Sequence, residues 1–370
     1  MESKGSGIEV AVENGGDTSY YCEDFEWEDL RNEIETKSKH QCRHPDTTKF
    51  SESVEEASNK EAWQSFHQRH SAGTFFKERK YLLKEFPELL KADDSTSVLE
   101  VGCGSGSSVL PILRQNSSIV VYACDCSMVA LERAQEMVVA TIGISGAHRF
   151  KPFCCDFSIG TFPSWLCCTL CQESYQPQLE DEKGNYHLDA DDVLAKGYGV
   201  TTYKGVDIKE NADQRNKQCC TGGVDFVTLV SNSRDKNSMQ TKALLCQKIA
   251  VAYEHIFTLS SVPLNRMVHV IKECLLILKP GGMLFFRDYG LYDMTMLRFP
   301  PAQNIGDRHY VRGDGTFSYY FSLDVLRELF TSAGFVEIES RYCCVQLFNR
   351  RKEQKMQRVW VHGKFQKPPR

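Results

Sequence analysis

The chain has 370 residues, of which 41% are hydrophobic and 25% charged, and its formal net charge is −5 at pH 7. This composition is typical of a globular protein, and it excludes low-complexity, fibrous and strongly charged classes. No apolar run reaches about 18 residues, so no membrane-spanning helix is predicted. The amino-terminal segment lacks the basic start and apolar core of a secretory signal, so a cytoplasmic or nuclear protein with reduced cysteines is expected.

The chain is predicted to contain three parts. Residues 1–53 are acidic and rich in Ser and Glu, which predicts a disordered tail. Residues 54–92 are predicted to form an N-terminal helical cap. Residues 93–370 are predicted to form the main domain, with insertions near 158–222 and 231–256. The carboxyl terminus is basic, which favours contact with a polyanion, although a solvated charged face is the alternative.

Strands and helices alternate along the main domain. Short apolar runs predict seven strands, and helices with an apolar face are predicted after the first strand, from Ser127, over 265–279 and from Ser322. The alternation predicts a mostly parallel, doubly wound α/β sheet. A final helix followed by two strands and a basic turn predicts an antiparallel edge. The predicted strands are 96–101, 119–125, 150–155, 224–230, 283–286, 335–348 and 357–365.

A glycine loop joins the first strand to the following helix. It reads Glu100-Val-Gly102-Cys-Gly104-Ser-Gly106, and its glycines allow a tight turn and a close approach of the backbone to a ligand. This spacing after an acid favours S-adenosylmethionine over a dinucleotide, because the methionine end of that cofactor carries a carboxylate and an ammonium but no phosphate. Glu100 is expected to complement the ammonium. A generic glycine turn is the alternative.

Acids end the next two strands. Asp125 is placed to accept hydrogen bonds from both ribose hydroxyls, and Asp156 from the adenine amino group. Either acid alone would fit a cap or a turn. Three strand ends in order favour a ligand site, since ligands of parallel sheets bind at the carboxyl ends of the strands. With the antiparallel edge, this pattern predicts a Rossmann-like class I methyltransferase fold.

The segment Arg287-Asp288-Tyr289 follows the fifth predicted strand and is expected to face the same crevice. The functional interpretation is a motif that grips the substrate, and the alternative is a turn with a surface ion pair. Basic and aromatic residues follow it. They suit a stacked, unpaired base held by its phosphates, or else they are core aromatics with surface arginines. They are Arg298, Phe299, Arg308, His309, Tyr310, Arg312, Tyr319 and Tyr320.

Four cysteines have part of the spacing of a zinc site. Cys168 and Cys171 form a Cys-x-x-Cys pair, and Cys219 and Cys220 follow later in the chain. The second half lacks the spacing of zinc ligands. No metal is therefore predicted, and zinc is kept as the alternative.

Several motifs together resemble one family, the tRNA N3-methylcytidine methyltransferases. The sequence of these motifs is close to that of the plant branch of the family. The resemblance covers roughly 60–156, 223–230 and 257–368. The glycine loop alone indicates only the superfamily, whereas the Phe-Phe-Lys-Glu-Arg stretch and the 287–299 motif are specific to this family. The matching segments are 75–89, 98–106, 287–299, 310–316 and 359–365.

The resemblance implies S-adenosylmethionine-dependent formation of N3-methylcytidine at position 32 of the tRNA anticodon loop. An accessory protein such as an aminoacyl-tRNA synthetase is left open as a further partner. The family usually has Tyr four residues after its Trp, and here His67 follows Trp63. The implied cofactor residues are Trp63, His67, Gly102, Asp125, Asp156, Phe157 and Val230. The RNA-binding candidates are Arg298, Tyr310, Arg312, Arg350, Arg351 and Lys352.

N3 of an unpaired cytosine carries a lone pair, so no proton has to leave before methylation. Catalysis is therefore expected to consist of positioning and desolvation. The product base is cationic, and Asp288 is the candidate for stabilising that charge, with Arg287 and Tyr289 completing the predicted catalytic set.

Two other classes of function are kept open. One is a catalytically weakened RNA-binding or scaffold protein on a methyltransferase fold, and the other is a small-molecule methyltransferase. Residues 231–256 interrupt the family pattern after the fourth strand. They are interpreted either as a lid or as an acquired insertion whose removal would raise methylation.

Overall fold

The computed structural model describes residues 23–39, 55–69, 78–79, 81–90, 96–167, 224–230, 258–349 and 354–369. The helices in these residues are α1 (Trp27–Lys39), α2 (Glu55–Arg69), α3 (Leu82–Glu85), α4 (Val109–Gln115), α5 (Met128–Ala147), α6 (Leu264–Ile277) and α7 (Leu323–Ser332). The strands are β1 (Ser97–Val101), β2 (Val120–Asp125), β3 (Phe150–Cys154), β4 (Val224–Val230), β5 (Leu278–Tyr289), β6 (Asn304–Gly306), β7 (His309–Val311), β8 (Phe317–Tyr319), β9 (Val336–Asn349) and β10 (Gln354–Gln366).

Seven strands form one sheet in the order β3-β2-β1-β4-β5-β10-β9. The first five run parallel, and β10 runs antiparallel to both β5 and β9. The predicted fold class, a mostly parallel seven-stranded sheet with antiparallel pairing at one edge, is confirmed. β10 is the reversed strand and lies just inside the edge strand β9. A small antiparallel sheet, β6-β7-β8, is an addition that the sequence did not predict.

Local sequence signals explain where two of the helices begin. Ser127 Oγ accepts a hydrogen bond from the Ala130 N–H at the start of α5, and Ser322 Oγ does the same for the Val325 N–H of α7, each at 3.4 Å. Both serines were predicted as caps, and the structure confirms them. Just after α7, Gly334 takes a φ of 103°, a conformation that residues with a side chain rarely adopt.

Helices cover both faces of the large sheet. On one face, buried side chains of α6 and α7 pack against Leu284 and Phe286 of β5. On the other face, side chains of α3, α4 and α5 pack with Phe285. Successive side chains of a strand point to opposite faces of the sheet. Leu284 and Phe286 therefore face one layer of helices, and Phe285 faces the other. With both faces covered, the carboxyl ends of the parallel strands are the place for a ligand.

The acidic tail that the sequence predicts to be disordered contains helix α1. Leu30 is buried against Val359, and the Trp27 ring stacks on Tyr342 with centroids 4.2 Å apart. The prediction of disorder is therefore wrong for residues 23–39, where the apolar face of one helix provides burial that the acidic composition conceals.

Other predictions concern residues that are not described. Most of the insertion near 158–222 and all of 231–256 lie outside the described residues, so the domain boundaries drawn around them stay predictions. Among the described helices, none is long and apolar enough to cross a membrane.

Candidate functional site: a nucleoside cavity at the strand ends

The loop between β1 and α4 is built on glycines with left-handed backbone angles. Gly102, Gly104 and Gly106 have φ values of 68°, 52° and 81°. A Cβ at Gly106 would lie 3.1 Å from the Cβ of Ala134 on α5, and one at Gly102 would lie 3.1 Å from Thr258 Cγ2. Glycine is required here because the backbone turns tightly while neighbouring segments approach it closely.

Asp125 is the last residue of β2, and its carboxylate is fixed beside this loop. Its Oδ2 accepts the Gly104 N–H and its Oδ1 accepts the Ser127 N–H, both at 2.9 Å. Asp125 is only 5% exposed. Each carboxylate oxygen can accept more than one hydrogen bond, so the group is oriented by the backbone and can still accept from hydroxyl groups of a ligand.

A cavity of about 480 Å³, counting its open mouth, lies at the carboxyl ends of β1, β2 and β3. Six of the predicted cofactor residues line it: Trp63, His67, Gly102, Asp125, Asp156 and Phe157. The sequence reasoning missed five further lining residues: Lys60, Cys126, Ser158, Ser261 and Val262.

Helix α2 contributes two aromatic rings to the cavity. Trp63 and His67 are 7% and 3% exposed, and their spacing of four places both side chains on one helix face. His67 Nε2 lies 3.9 Å from Asp125 Oδ1. The histidine that replaces the family's usual tyrosine therefore occupies the cavity wall beside the carboxylate.

Asp156 follows β3 and is held by its own turn. Its Oδ1 accepts the Ser158 N–H at 3.2 Å and the Ser158 hydroxyl at 2.6 Å. Such a turn keeps the carboxylate at the strand end, as the sequence predicts. Phe157 lies next to it and faces Gly102, where a Cβ would be 3.6 Å from the Phe157 ring.

Three predicted cofactor residues do not line the cavity. The Gly104 N–H is bound to Asp125, and Gly106 packs on α5. The third residue, Glu100, is inside β1 and has a different environment. Of a further predicted residue, Val230, only its pairing with Arg287 at the end of β4 is described.

Glu100 is buried beneath the glycine loop, with 2% of its surface exposed. Its Oε2 has no hydrogen-bond partner among the described residues. Burial raises the pKa of this carboxyl to about 7, although the charge of Arg79 acts in the opposite direction. Burial therefore limits Glu100 to acting on a cofactor through the loop above it.

Arg287 does not line the cavity and is only 1% exposed, so the expectation that it grips a substrate stays a prediction. Its guanidinium pairs with Glu85 of α3 and lies over the Tyr81 and Trp360 rings, 4.6 and 4.8 Å from their centroids. Glu85 also binds His362 Nδ1 at 3.0 Å. Position 287 points to the sheet face that α3 covers, so the alternation of the strand directs Arg287 into a buried ion pair.

Asp288 and Tyr289 are also buried and do not line the cavity. Asp288 has no exposed surface, and its Oδ1 and Oδ2 accept the N–H groups of Tyr289 and Ser260 at 2.8 and 2.9 Å. Burial raises the pKa of the Asp288 carboxyl to about 6. Tyr289 stacks on Tyr320 with centroids 5.0 Å apart. The structure therefore brings none of the three predicted catalytic residues to the cavity wall.

The predicted RNA-binding residues have different environments. Arg298 is exposed, whereas Tyr310 is 9% exposed and stacks on Phe299 with centroids 4.7 Å apart. Arg312 is partly buried and donates to the Phe317 carbonyl oxygen at 2.9 Å. Much of the aromatic cluster is thus core, as the alternative interpretation states. Arg350, Arg351 and Lys352 lie outside the described residues.

The turn between β7 and β8 approaches helix α2. A Cβ at Gly315, whose φ is 87°, would lie 3.5 Å from the Cβ of Ala62. Ala62 precedes Trp63 of the cavity wall, so this turn lies near the cavity. The family motif at 310–316 is therefore next to the cofactor site, although its aromatic side chains serve the small sheet.

A physical signal existed for some of the missed residues. Cys126 and Ser158 lie within two residues of the predicted acids, so the strand-end argument could have included them. Ser261 and Val262 offer no such spacing, because their place in the wall depends on tertiary packing. No group of three or more potential metal ligands occurs in the part of the chain that the structure describes, and the cysteines proposed for zinc lie outside it.

The chain resembles known proteins along most of its length. Residues 67–340 match the family described as a methyltransferase domain. The tRNA N(3)-cytidine methyltransferase METTL6 of Homo sapiens is 29% identical over 83% of this chain and 80% of its own length. The tRNA N(3)-methylcytidine methyltransferase Mettl2 of Drosophila melanogaster is 29% identical over 83% of this chain and 70% of its own. O-methyltransferase 3 of Dictyostelium discoideum is 28% identical over 77% of this chain but only 47% of its own.

The side chains of the cavity fit S-adenosylmethionine. Asp125 is oriented to accept ribose hydroxyls, Asp156 suits an adenine amino group, and Trp63 with Phe157 offers apolar walls for the base. Gly102 has no Cβ, so its backbone is accessible to the ligand. S-adenosylmethionine is therefore the cofactor, and this chain belongs to the methyltransferase domain family.

Proposed function

We propose that this protein methylates N3 of the cytidine at position 32 in the anticodon loop of tRNA. The observation that carries the proposal is the similarity to a tRNA N(3)-cytidine methyltransferase over 83% of this chain and 80% of that relative. An alignment of this extent includes the cofactor site and the segments beyond β4, where substrate specificity is expected to lie.

The course of β10 supports a polyanionic substrate. Trp360 of β10 pairs with Tyr289, the last residue of β5, and the earlier residues of β10 pair with β9 beyond that point. Because β10 runs antiparallel to β5, the β9–β10 hairpin projects from the edge of the sheet where the cavity lies. Lys355 is exposed on this hairpin. The sequence adds Arg350, Arg351 and Lys352, and basic side chains in this position suit tRNA phosphates.

The methyl transfer does not require the protein to remove a proton from the base. N3 of an unpaired neutral cytosine is already a nucleophile, and base pairing would hide it, so the base has to be unpaired or turned out. S-adenosylmethionine supplies an electrophilic methyl group. The work of the chain is to bind and orient: Asp125 and Asp156 hold polar groups, and the rings of Trp63 and Phe157 exclude water.

Further parts of this proposal concern location and partners. A protein that modifies tRNA would act in the cytoplasm or the nucleus. An accessory protein such as an aminoacyl-tRNA synthetase would help to present the anticodon loop.

The test is transfer of labelled methyl groups from S-adenosylmethionine to tRNA transcripts, followed by nucleoside analysis. We expect N3-methylcytidine in a transcript with cytidine at position 32, and none in a matched transcript with uridine there. A methylated nucleoside of another kind would contradict the proposal. Cofactor binding without transfer to any tRNA, with and without added synthetase, would favour a catalytically weakened scaffold. Transfer to small acceptors alone would favour a small-molecule methyltransferase.

A further inference from the structure

One wall of the cofactor cavity is a short turn that no sequence pattern predicts. Residues Leu259–Ser261 form a single 3-10 turn, and Ser261 and Val262 line the cavity. Thr258, at the start of the turn, approaches Gly102 so closely that a Cβ there would lie 3.1 Å from Thr258 Cγ2. The position of this turn therefore affects both the cavity and the glycine loop.

The turn is joined to the sheet through Asp288. The Ser260 N–H donates to Asp288 Oδ2 at 2.9 Å. Two other hydrogen bonds, from the Val262 N–H to the Leu259 carbonyl oxygen and from Ser261 Oγ to the Thr258 carbonyl oxygen, are internal to the turn. These internal bonds shape the turn, whereas the bond to Asp288 fixes it against the end of β5.

We propose that Asp288 is a positioning residue of the cofactor site, whose carboxylate holds the turn at 258–262 in place and so sets the cavity wall formed by Ser261 and Val262. This role concerns the binding of the cofactor, so it does not depend on which substrate accepts the methyl group. It also differs from the role predicted from the sequence, in which Asp288 acts directly on the substrate base, because Asp288 has no exposed surface.

The geometry requires an ionised carboxylate. Both oxygens of Asp288 accept backbone N–H groups, one from Ser260 and one from Tyr289. An asparagine has one acceptor oxygen and would direct its amide hydrogens at the other donor, and a protonated carboxyl has the same defect. Arg312, from the β7–β8 hairpin, is a charged residue that lowers the pKa of Asp288, and Tyr289 is the neighbour of Asp288 on β5.

The variant Asp288→Asn tests this role by its effect on cofactor affinity. The affinity for S-adenosylmethionine, measured by calorimetry on the full chain, should fall by about tenfold, the order expected for one hydrogen bond to a charged acceptor. The transfer rate at saturating cofactor should change much less. Unchanged affinity in a folded variant, with a slower rate at saturating cofactor, would overturn the proposal in favour of a role in the transition state.

Asp225→Asn is the matched control. Asp225 Oδ2 also accepts a backbone N–H, from Ser97 at 2.9 Å, but it does so at the amino ends of β1 and β4. Its substitution should leave cofactor affinity unchanged. An equal loss of affinity in both variants would show a general effect on the fold and would also overturn the proposal.

A measurement on the wild-type protein covers the case in which Asp288→Asn does not fold. Hydrogen exchange of the segment 258–262, corrected for intrinsic rates, should show protection at about pH 7.5 that falls several-fold at about pH 5. The Ser260 N–H holds the pKa of Asp288, about 6, below the value it would have in the same buried place without that hydrogen bond. A turn that opens while Asp288 stays buried therefore binds the proton more tightly than the closed turn, so lowering the pH through about 6 favours opening. Protection that does not change with pH would contradict the proposed anchoring.

Discussion

Asp125 and Asp288 stand in corresponding places of the sheet and have opposite environments. Asp125 lies one residue past the pairing of β2 with β1, which ends at Val101 and Cys124. Asp288 lies one residue past the pairing of β5 with β4, which ends at Val230 and Arg287. Yet Asp125 lines the cofactor cavity, whereas Asp288 has no exposed surface.

The difference comes from what is packed beyond each strand. Past β5, the partner strand β10 continues and pairs Val361 with Asp288, and Phe321 bridges to Gly290 after β8. Past β2, the chain turns at Ser127 into α5 and leaves room beneath α2. A strand end therefore predicts closeness to the crevice, but the neighbouring elements decide whether a side chain is exposed to it.

The same comparison applies to residues farther inside the strands. Glu100 pairs on both sides, with Ala123 and Thr228, and Arg287 pairs with Val230 and His362. Both side chains are ionisable and buried, and neither lines the cavity. Substitutions within the strands should therefore change stability, whereas substitutions at the exposed strand ends should change cofactor binding.

The largest effect is expected for Arg287→Met. Removing this guanidinium leaves the buried Glu85 with His362 but without its arginine partner, which should lower the free energy of unfolding by about 3–5 kcal/mol. Urea unfolding measures the change. Arg114→Met, which breaks the more exposed pair with Glu78, is the control and should cost about 1 kcal/mol or less. Equal costs for both variants would contradict the buried role of Arg287.

Glu100→Gln should have the next largest effect, and its sign depends on pH. The folded-state pKa of Glu100 is about 7 against 4.5 as the ordinary value, so the folded state holds the extra proton between these pH values. The unfolding free energy of the wild type should therefore fall as pH rises from 4.5 to 7, by about 3 kcal/mol from this group.

The glutamine variant should not lose this stability as pH rises, because its side chain stays neutral. Above about pH 7 it should be more stable than the wild type, and below about pH 4.5 the two should be similar. Thermal or urea unfolding across this range measures the difference. A difference that does not change with pH would mean that Glu100 is not the buried titrating group described above.

How much of this the sequence could predict depends on the range of the interaction. Asp125, Asp156 and Gly102 were predictable because hydrophobic runs fix the strand ends and the parallel topology brings those ends together. Trp63 and His67 depended on the resemblance to a known family. The burial of Asp288 was not predictable, because it depends on how β10 and the segment after β8 pack at the end of β5.

Helix α1 and the turn at 258–262 illustrate the same limit. Trp27, Leu30 and Ile34 recur at helical spacing in an acidic segment, and the partners of Trp27 and Leu30, Tyr342 and Val359, lie far along the chain. Composition averages over such residues, so it predicts disorder. Only the tertiary contacts show that they are buried.

Asp125→Ala should affect the cofactor and spare the fold. Loss of a carboxylate that is expected to accept from both ribose hydroxyls should weaken binding of S-adenosylmethionine by about 100-fold, or about 2.7 kcal/mol. Calorimetry measures the affinity, and circular dichroism checks that the variant is folded. Asp156→Ala is expected to remove a single contact to the base and should have a smaller effect. An affinity for Asp125→Ala equal to that of the wild type would remove this residue from the cofactor site.

The smallest effect is expected from the basic hairpin of β9 and β10. Replacing Arg350, Arg351, Lys352 and Lys355 together by Ala should weaken tRNA binding by about tenfold at physiological salt, or about 1.4 kcal/mol. The slope of log affinity against log salt should fall by about one for each phosphate that the protein no longer neutralises, since fewer counterions are released. Filter binding at several salt concentrations measures both quantities. Cofactor affinity should not change, because these basic side chains are expected to act on tRNA phosphates and not on the cofactor. Unaltered tRNA affinity and salt slope would show that the tRNA is bound by another surface, and exposed Arg298 would then be the next residue to replace.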